Sequence, residues 1–345
     1  MYIILNKSSH LIKKEYNLGV EILRVFLSFS VVMDHLYNKN ILRKYSKILY
    51  YHIPTFFLIS FYFTFNTFSS FNIKKIKLRF ERLIIPYIGW SIIAFLLKNI
   101  YFYLLKINVE HSLKSFIKHL ITGHILNLPL WYQAILLFTT ITFLIIIFIC
   151  KNNNLFVFQI FALISYILQY SELNYYLIKK YLSFHAELSF GRFIEAIPNA
   201  VTGYTFAYFK LIEKLKEWRL KAIFLNLSIL IIINKYSIIQ NFKNFKYGGL
   251  RLNIGASCIF LSFSLIPIEN LLNTISIKIL KQITRYTGGI YYMHYLVGNF
   301  YLLKRYFNTL NGTILGCLII YLICYILCSF GIKLFGKNRL KYMFI

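Results

Sequence analysis

Arg24, Asp34 and His35 carry chemistry that their surroundings do not explain. They belong to RVFLSFSVVMDH, residues 24–35, a stretch otherwise almost wholly apolar. Ionisable groups inside a bilayer are expensive and by default mark function. An α-helix turns about 100° and rises about 1.5 Å per residue, so Arg24 and His35 fall within about 20° of each other and about 16 Å apart along the axis. Ser28 lies about 40° from Arg24 on the same side, Glu21 is close by, and Asp34 sits about 80° off the edge. The result is one polar stripe on an apolar cylinder. Two readings fit it. Arg24 snorkels to the inner headgroups while His35 sits at the outer interface, or the stripe faces a cavity between helices. In the second reading a neutral His35 takes a proton from a hydroxyl as general base, with Asp34 or Glu21 to orient or charge it.

The rest of the chain predicts what holds that helix. Of 345 residues, 58% are hydrophobic, 19% aromatic and only 14% charged, and the mean hydropathy is +0.61. Soluble chains average roughly 25% charged residues, so this composition predicts a polytopic membrane protein. The net charge of +28 does not imply nucleic acid, because the basic residues lie mostly between apolar runs, facing lipid headgroups. Five cysteines show no CxxC or Cys/His spacing, and no metal is implied.

A span needs about 20 mostly apolar residues. Ten runs qualify, near residues 18–37, 48–68, 83–105, 130–150, 155–170, 190–209, 222–239, 252–268, 288–303 and 313–335. The fifth is short, and Asn234 and Lys235 interrupt the seventh. The excess of Lys and Arg in alternate loops places both termini in the cytoplasm. The fold class expected is an all-α integral membrane protein of about ten transmembrane helices. The polar first seventeen residues and the absence of a cleavage signature predict a retained signal anchor. With no long soluble insertion, residues 1–345 are expected to form a single transmembrane domain.

Other residues offer chemistry at helical spacing. Arg79 and Arg82, three apart, share a face if helical. Their forked donors suit phosphates, or they are ordinary positive-inside charges. Arg192 and Glu195 pair with each other or meet a sugar. Trp131 and Tyr132 fit an interfacial belt or a sugar-stacking surface. Tyr291 and His294 share a face, where His294 is a second polar group in the cavity or a structural histidine. Ser60 has no nucleophile-elbow surroundings and reads as a packing or hydrogen-bonding serine.

Six segments carry a resemblance. ILRVFLSFSVVMDH resembles the first helix of the membrane acyltransferase-3 family, with its Arg and His separated by ten residues, here Arg24 and His35. IPTFFLISFYF resembles the Phe-Phe-x-x-Ser segment of the second helix, with Phe61 where the family has glycine. LRFERLIIPY resembles the basic R-x-x-R stretch, here Arg79 and Arg82 before Pro86. LWYQAILLF, GRFIEAIPNAVTGYTFA and GGIYYMHYLV resemble later spans, in order, over most of the chain.

The resemblance implies O-acyl transfer, most often of an acetyl group, from cytoplasmic acyl-CoA such as acetyl-CoA to a hydroxyl of a surface polysaccharide or lipid-linked glycan, in the bacterial inner membrane. With it, His35 is expected as the essential group with Arg24 and Asp34 beside it, and Arg79 and Arg82 on the acyl-CoA; the residues read above as able to meet an acceptor sugar are Arg192, Glu195, His294 and Trp131. The partners expected are acyl-CoA, a carbohydrate and membrane lipids. A glycan polymerase or flippase is the rival, but a polymerase typically carries a large outer loop, and the longest connection here is about 25 residues. A small-solute transporter would show repeat symmetry, which this chain lacks.

Overall fold

The computed structural model describes residues 17–36, 51–104, 116–117, 120, 130–150, 153–170, 184–236, 249–268, 272–298, 310–336 and 338–345. Among these the chain is all-helical, without strands. The helices are α1 Leu18–Leu36, α2 His52–Ser69, α3 Ile73–Leu104, α4 Trp131–Cys150, α5 Asn154–Tyr170 and α6 Phe184–Tyr208. They continue with α7 Leu211–Leu215, α8 Arg219–Tyr236, α9 Leu250–Leu265, α10 Thr274–Arg285, α11 Thr287–Gly298 and α12 Leu310–Phe335. A 3-10 segment, Arg339–Phe344, closes the chain.

Each expected apolar run overlies a helix. Their ends at 37, 48–50, 105, 237–239 and 299–303 lie outside the described residues, as does the polar segment 1–16. Among the described residues three helical stretches, Ile73–Leu97, Trp131–Cys150 and Ile314–Phe335, are long and apolar enough to cross a membrane. Asn154–Tyr170 and Leu250–Leu265 are shorter apolar helices. The outward faces carry Phe148, Leu163, Phe224, Leu322 and Phe330, all exposed, a surface suited to lipid rather than water.

Three details depart from the sequence reading. The basic stretch before the third run is helical, so α3 begins at Ile73 rather than at 83. Lys and Arg are good helix formers, and the Asn72 side chain caps the start by accepting the Lys75 amide at 3.1 Å. Asn234 and Lys235 do not interrupt the seventh run, and α8 continues to Tyr236. There the Asn234 side chain leaves lipid by accepting from Tyr51 Oη at 3.1 Å and Arg251 Nη2 at 3.2 Å. Finally α10 is an unforeseen amphipathic helix, with Ile275, Ile279 and Ile283 on one side and Lys278, Lys281 and Arg285 on the other. Asn273 caps it, accepting from the Ser276 amide at 2.8 Å.

Among the described residues α2 and α6 make the most extensive helix–helix contact. Gly203 makes it close, since a Cβ there would strike the Leu58 carbonyl. Phe61, in place of the family's glycine, does not open the packing. It is fully buried, with its ring 4.4 Å from that of Phe143 in α4. α1 packs on α9, α11 and α12.

Among the described residues Pro54 stands in the first turn of α2, whereas two prolines lie in helix interiors, Pro86 in α3 and Pro198 in α6. Proline has no N–H, so the carbonyl four residues before it loses its helical partner. For Pro198 that carbonyl is Ile194. Two side chains of α5 supply the missing donors, Ser165 Oγ at 2.5 Å and Gln169 Nε2 at 3.0 Å. Near Pro86, Gln133 Nε2 of α4 donates to the Leu83 carbonyl at 3.1 Å. Replacing Ser165 with Ala and Gln169 with Leu together strands the Ile194 carbonyl, and should cost about 1–2 kcal/mol. Thermal melting in detergent checks this. The same double change in a Pro198→Ala background, where residue 198 regains its N–H, should cost clearly less.

Candidate active site

The polar stripe of α1 faces α11 and α12. Arg24 Nη1 donates to Glu21 Oε2 at 3.0 Å and Nη2 to Thr287 Oγ1 at 3.3 Å, at the start of α11. Thr287 in turn donates to the Thr284 carbonyl at 3.0 Å. One turn on, buried Ser28 meets Tyr321 Oη of α12 at 2.8 Å. At the far end the His35 ring lies 5.2 Å from the His294 ring of α11. Thus α1 and α11 run side by side in the same direction, with Arg24 on Thr287 at one level and His35 on His294 at the other.

The two histidines differ. His35 is exposed at the end of α1, whereas His294 is fully buried. The Nδ1 of His294 is 3.2 Å from the Ile290 carbonyl. A carbonyl can only accept, so Nδ1 carries the proton and the lone pair of the neutral ring lies on Nε2. That Nε2 is buried without a hydrogen-bond partner among the described residues. Asp34 is half-buried beside His35. Glu21, the other carboxylate considered for His35, is instead engaged by Arg24, about 21 Å down the helix.

Aromatic rings extend the site from the histidines. Tyr291 lies 6.0 Å from His294, and Tyr132 of α4 lies 5.5 Å from Tyr291 and 4.8 Å from Phe57. Tyr132 also lies within electrostatic reach of both Arg79 and Arg24. Arg79 and Arg82, expected on one face, diverge. Arg79 turns into the bundle and its Nη2 donates to Ser60 Oγ of α2 at 2.5 Å. Its buried Nε has no partner among the described residues. Arg82 stays exposed. Ser60 is therefore a hydrogen-bonding serine, as its surroundings in sequence suggested.

Arg192, Glu195 and Trp131 come together between α2, α4 and α6. Arg192 Nη1 donates to Glu195 Oε2 at 2.6 Å, with the Glu195 side chain 4% exposed, and the guanidinium carbon sits 5.1 Å from the Trp131 ring. They line a narrow, tightly closed cleft with Ile53, Pro54, Phe57 and Asn199. Behind it Asn253 Nδ2 of α9 donates to Asn199 Oδ1 at 3.0 Å and Thr202 Oγ1 at 3.1 Å. Trp131 thus faces a cation and a pocket within the bundle. An indole wall, a carboxylate, a guanidinium and an amide are groups that bind polyols.

Several of these residues were not singled out in the sequence. Asn199 stands four positions after Glu195, on the same face, so helical spacing could have found it. Thr287, Tyr321 and Asn253 meet the site only through tertiary contacts and leave no local signal.

The acyltransferase-3 family model, an acyltransferase domain, matches residues 17–329. No curated protein and no solved structure matches the chain significantly. The match spans most of the sequence, and the chain belongs to this family. It is a membrane acyltransferase.

The buried Arg192–Glu195 pair gives a test of the pocket. Glu195→Ala removes the carboxylate that Arg192 meets at 2.6 Å and should destabilise by about 3 kcal/mol, whereas Arg192→Ala with Glu195→Ala should cost less than the two single changes summed. A double-mutant cycle from melting curves reads the coupling.

Proposed function

We propose that this acyltransferase moves an acetyl group from cytoplasmic acetyl-CoA to a hydroxyl of a surface polysaccharide or lipid-linked glycan, in the bacterial inner membrane. The reading treats residues 1–345 as one domain of ten spans with both termini in the cytoplasm. The observation that carries it is the pairing of His35 with His294 at the end of the stripe that begins at Arg24. It joins a proton acceptor to a second, buried imidazole whose Nε2 has no hydrogen-bond partner among the described residues.

In this reaction the acceptor hydroxyl gives its proton to His35 as its oxygen attacks the thioester carbonyl. The carbon–sulfur bond breaks, and His35 returns the proton to the departing thiolate. A route through acetyl-His35 uses the same groups. His294 accepts a hydrogen bond at Nε2, from His35 or from the acceptor hydroxyl, and so fixes the geometry of attack. Asp34 favours the imidazolium that forms on His35. Arg24 holds α1 against α11 and faces the donor. Arg79 and Arg82 bind the phosphates of acetyl-CoA, and Trp131, Arg192 and Glu195 hold the sugar. With the termini inside, the arginines of α1 and α3 face the cytoplasmic donor, and the histidine pair stands deeper in the membrane.

His35→Ala should abolish acetylation while the protein accumulates normally. Proton NMR of the surface polysaccharide, from a deletion strain complemented with wild type or variant, reads this directly. Equal acetyl signal from both would remove His35 from the chemistry. A glycan of altered length with no loss of acetyl would instead favour a polymerase or flippase. Arg79→Ala with Arg82→Ala should raise the apparent KM for acetyl-CoA, and an unchanged KM would leave those arginines a topological role.

A further inference from the structure

The family match ends at residue 329, yet the chain continues and turns back on the bundle. After α12 the segment Arg339–Phe344 lies as a strap along α3, α11 and α12. Trp90 Nε1 of α3 donates to the Met343 carbonyl at 2.9 Å. Gly289 of α11 and Gly331 of α12 lack the Cβ atoms that would strike the Phe344 carbonyl and ring. Arg339 pairs with Glu81 of α3 at 3.1 Å. The strap is thus packed, hydrogen-bonded and ion-paired in place.

So held, it sets two side chains beside the exposed Arg82. The Arg82 guanidinium carbon is 5.8 Å from the Tyr342 ring centroid, and Lys341 Nζ is 5.6 Å from the same centroid. Two cations share one ring. Among the described residues neither has a carboxylate partner, because the nearby Glu81 is taken by Arg339. Like charges gathered this way are stabilised by an anion that bridges them. One turn toward the start of α3, Arg79 instead turns into the bundle and donates to Ser60. The strap also reaches toward the histidine helix, since Trp90, which binds it, stacks on Tyr292 at 6.2 Å.

We propose that the strap completes the donor site, with Lys341 and Arg82 binding the phosphates at the nucleotide end of acyl-CoA and Tyr342 positioning both cations. This rests on the acyl-CoA reading above. A phosphate is the shared chemistry of a nucleotide and an anionic lipid headgroup, and the assignment here is to the nucleotide.

The test uses the full-length protein in phosphatidylcholine nanodiscs, with Lys341→Ala, Lys341→Arg and Tyr342→Leu. KM is measured for acetyl-CoA and for S-acetyl-N-acetylcysteamine, a thioester without a nucleotide. The ratio of the first KM to the second should rise about tenfold in Lys341→Ala and Tyr342→Leu, the loss of one charge-assisted contact, and return toward wild type in Lys341→Arg. An unchanged ratio overturns the proposal, whether both constants rise together or neither moves. A response only to added phosphatidylglycerol, with the ratio fixed, assigns the cluster to headgroups and also overturns it. If the wild type transfers acetyl from neither donor, the proposed function fails, and calorimetric binding of adenosine 3′,5′-bisphosphate decides the strap. Binding that Lys341→Ala and Tyr342→Leu weaken supports it, and no binding by wild type overturns it.

Discussion

A guanidinium among apolar helices cannot shed its proton and finds no bulk water, so its acceptors must come from the protein. Arg24 meets that demand with Glu21 on its own helix and Thr287 on α11. The consequence reaches beyond one side chain. The arginine contact ties α1 to α11 at one level, and the histidine pair joins them again at another. Rotating or sliding either helix would break one of the two contacts. A stripe that would be a liability on an isolated helix thereby fixes which face of α1 looks at which face of α11.

The same demand organises the other side of the bundle through backbone rather than charge. Pro198 removes an amide proton from α6 and exposes the Ile194 carbonyl, and α5 answers with Ser165 and Gln169. Those donors are needed only because a proline interrupts the hydrogen-bond ladder of α6 where it carries Arg192, Glu195 and Asn199. The cleft against Trp131 is therefore built on a helix whose missing backbone bond is made good from outside the cleft. Gly203, one turn further, lets that helix lie against α2. Proline and glycine act here as paired devices, one shaping the helix and the other seating it.

Much of this was legible in sequence, for physical reasons. Apolar runs mark helices because lipid and helix packing both demand them, and the R-x10-H spacing fixes a shared face because helical pitch is constant. What was hidden depends on partners distant in the chain. His294 could be placed on a face with Tyr291, but not opposite His35. Arg79 and Arg82 were expected to work as one face. Yet Ser60 draws Arg79 inward and Tyr342 meets Arg82 outside, and neither partner is implied by the R-x-x-R spacing. The start of α3 was missed because a hydropathy scan stops at lysines that a helix readily accepts. α10 was missed because its apolar face covers only half of each turn and never forms an unbroken run.

The strap ties the last helix back to α3 and α11. α12 ends near the end of the bundle where α3 begins, and only a segment without bulky obstruction can pass back between α3, α11 and α12. Gly289 and Gly331 provide that passage, and Trp90 holds the segment by its backbone, at the Met343 carbonyl. A backbone anchor leaves the neighbouring side chains free to differ in role. Met343 and Phe344 turn into the bundle, while Lys341 and Tyr342 turn to the ring and cation contacts around Arg82. One short segment can thus belong to the core and to a charged surface at once. That surface stands at the end of α3 from which Arg79 and the polar interior begin.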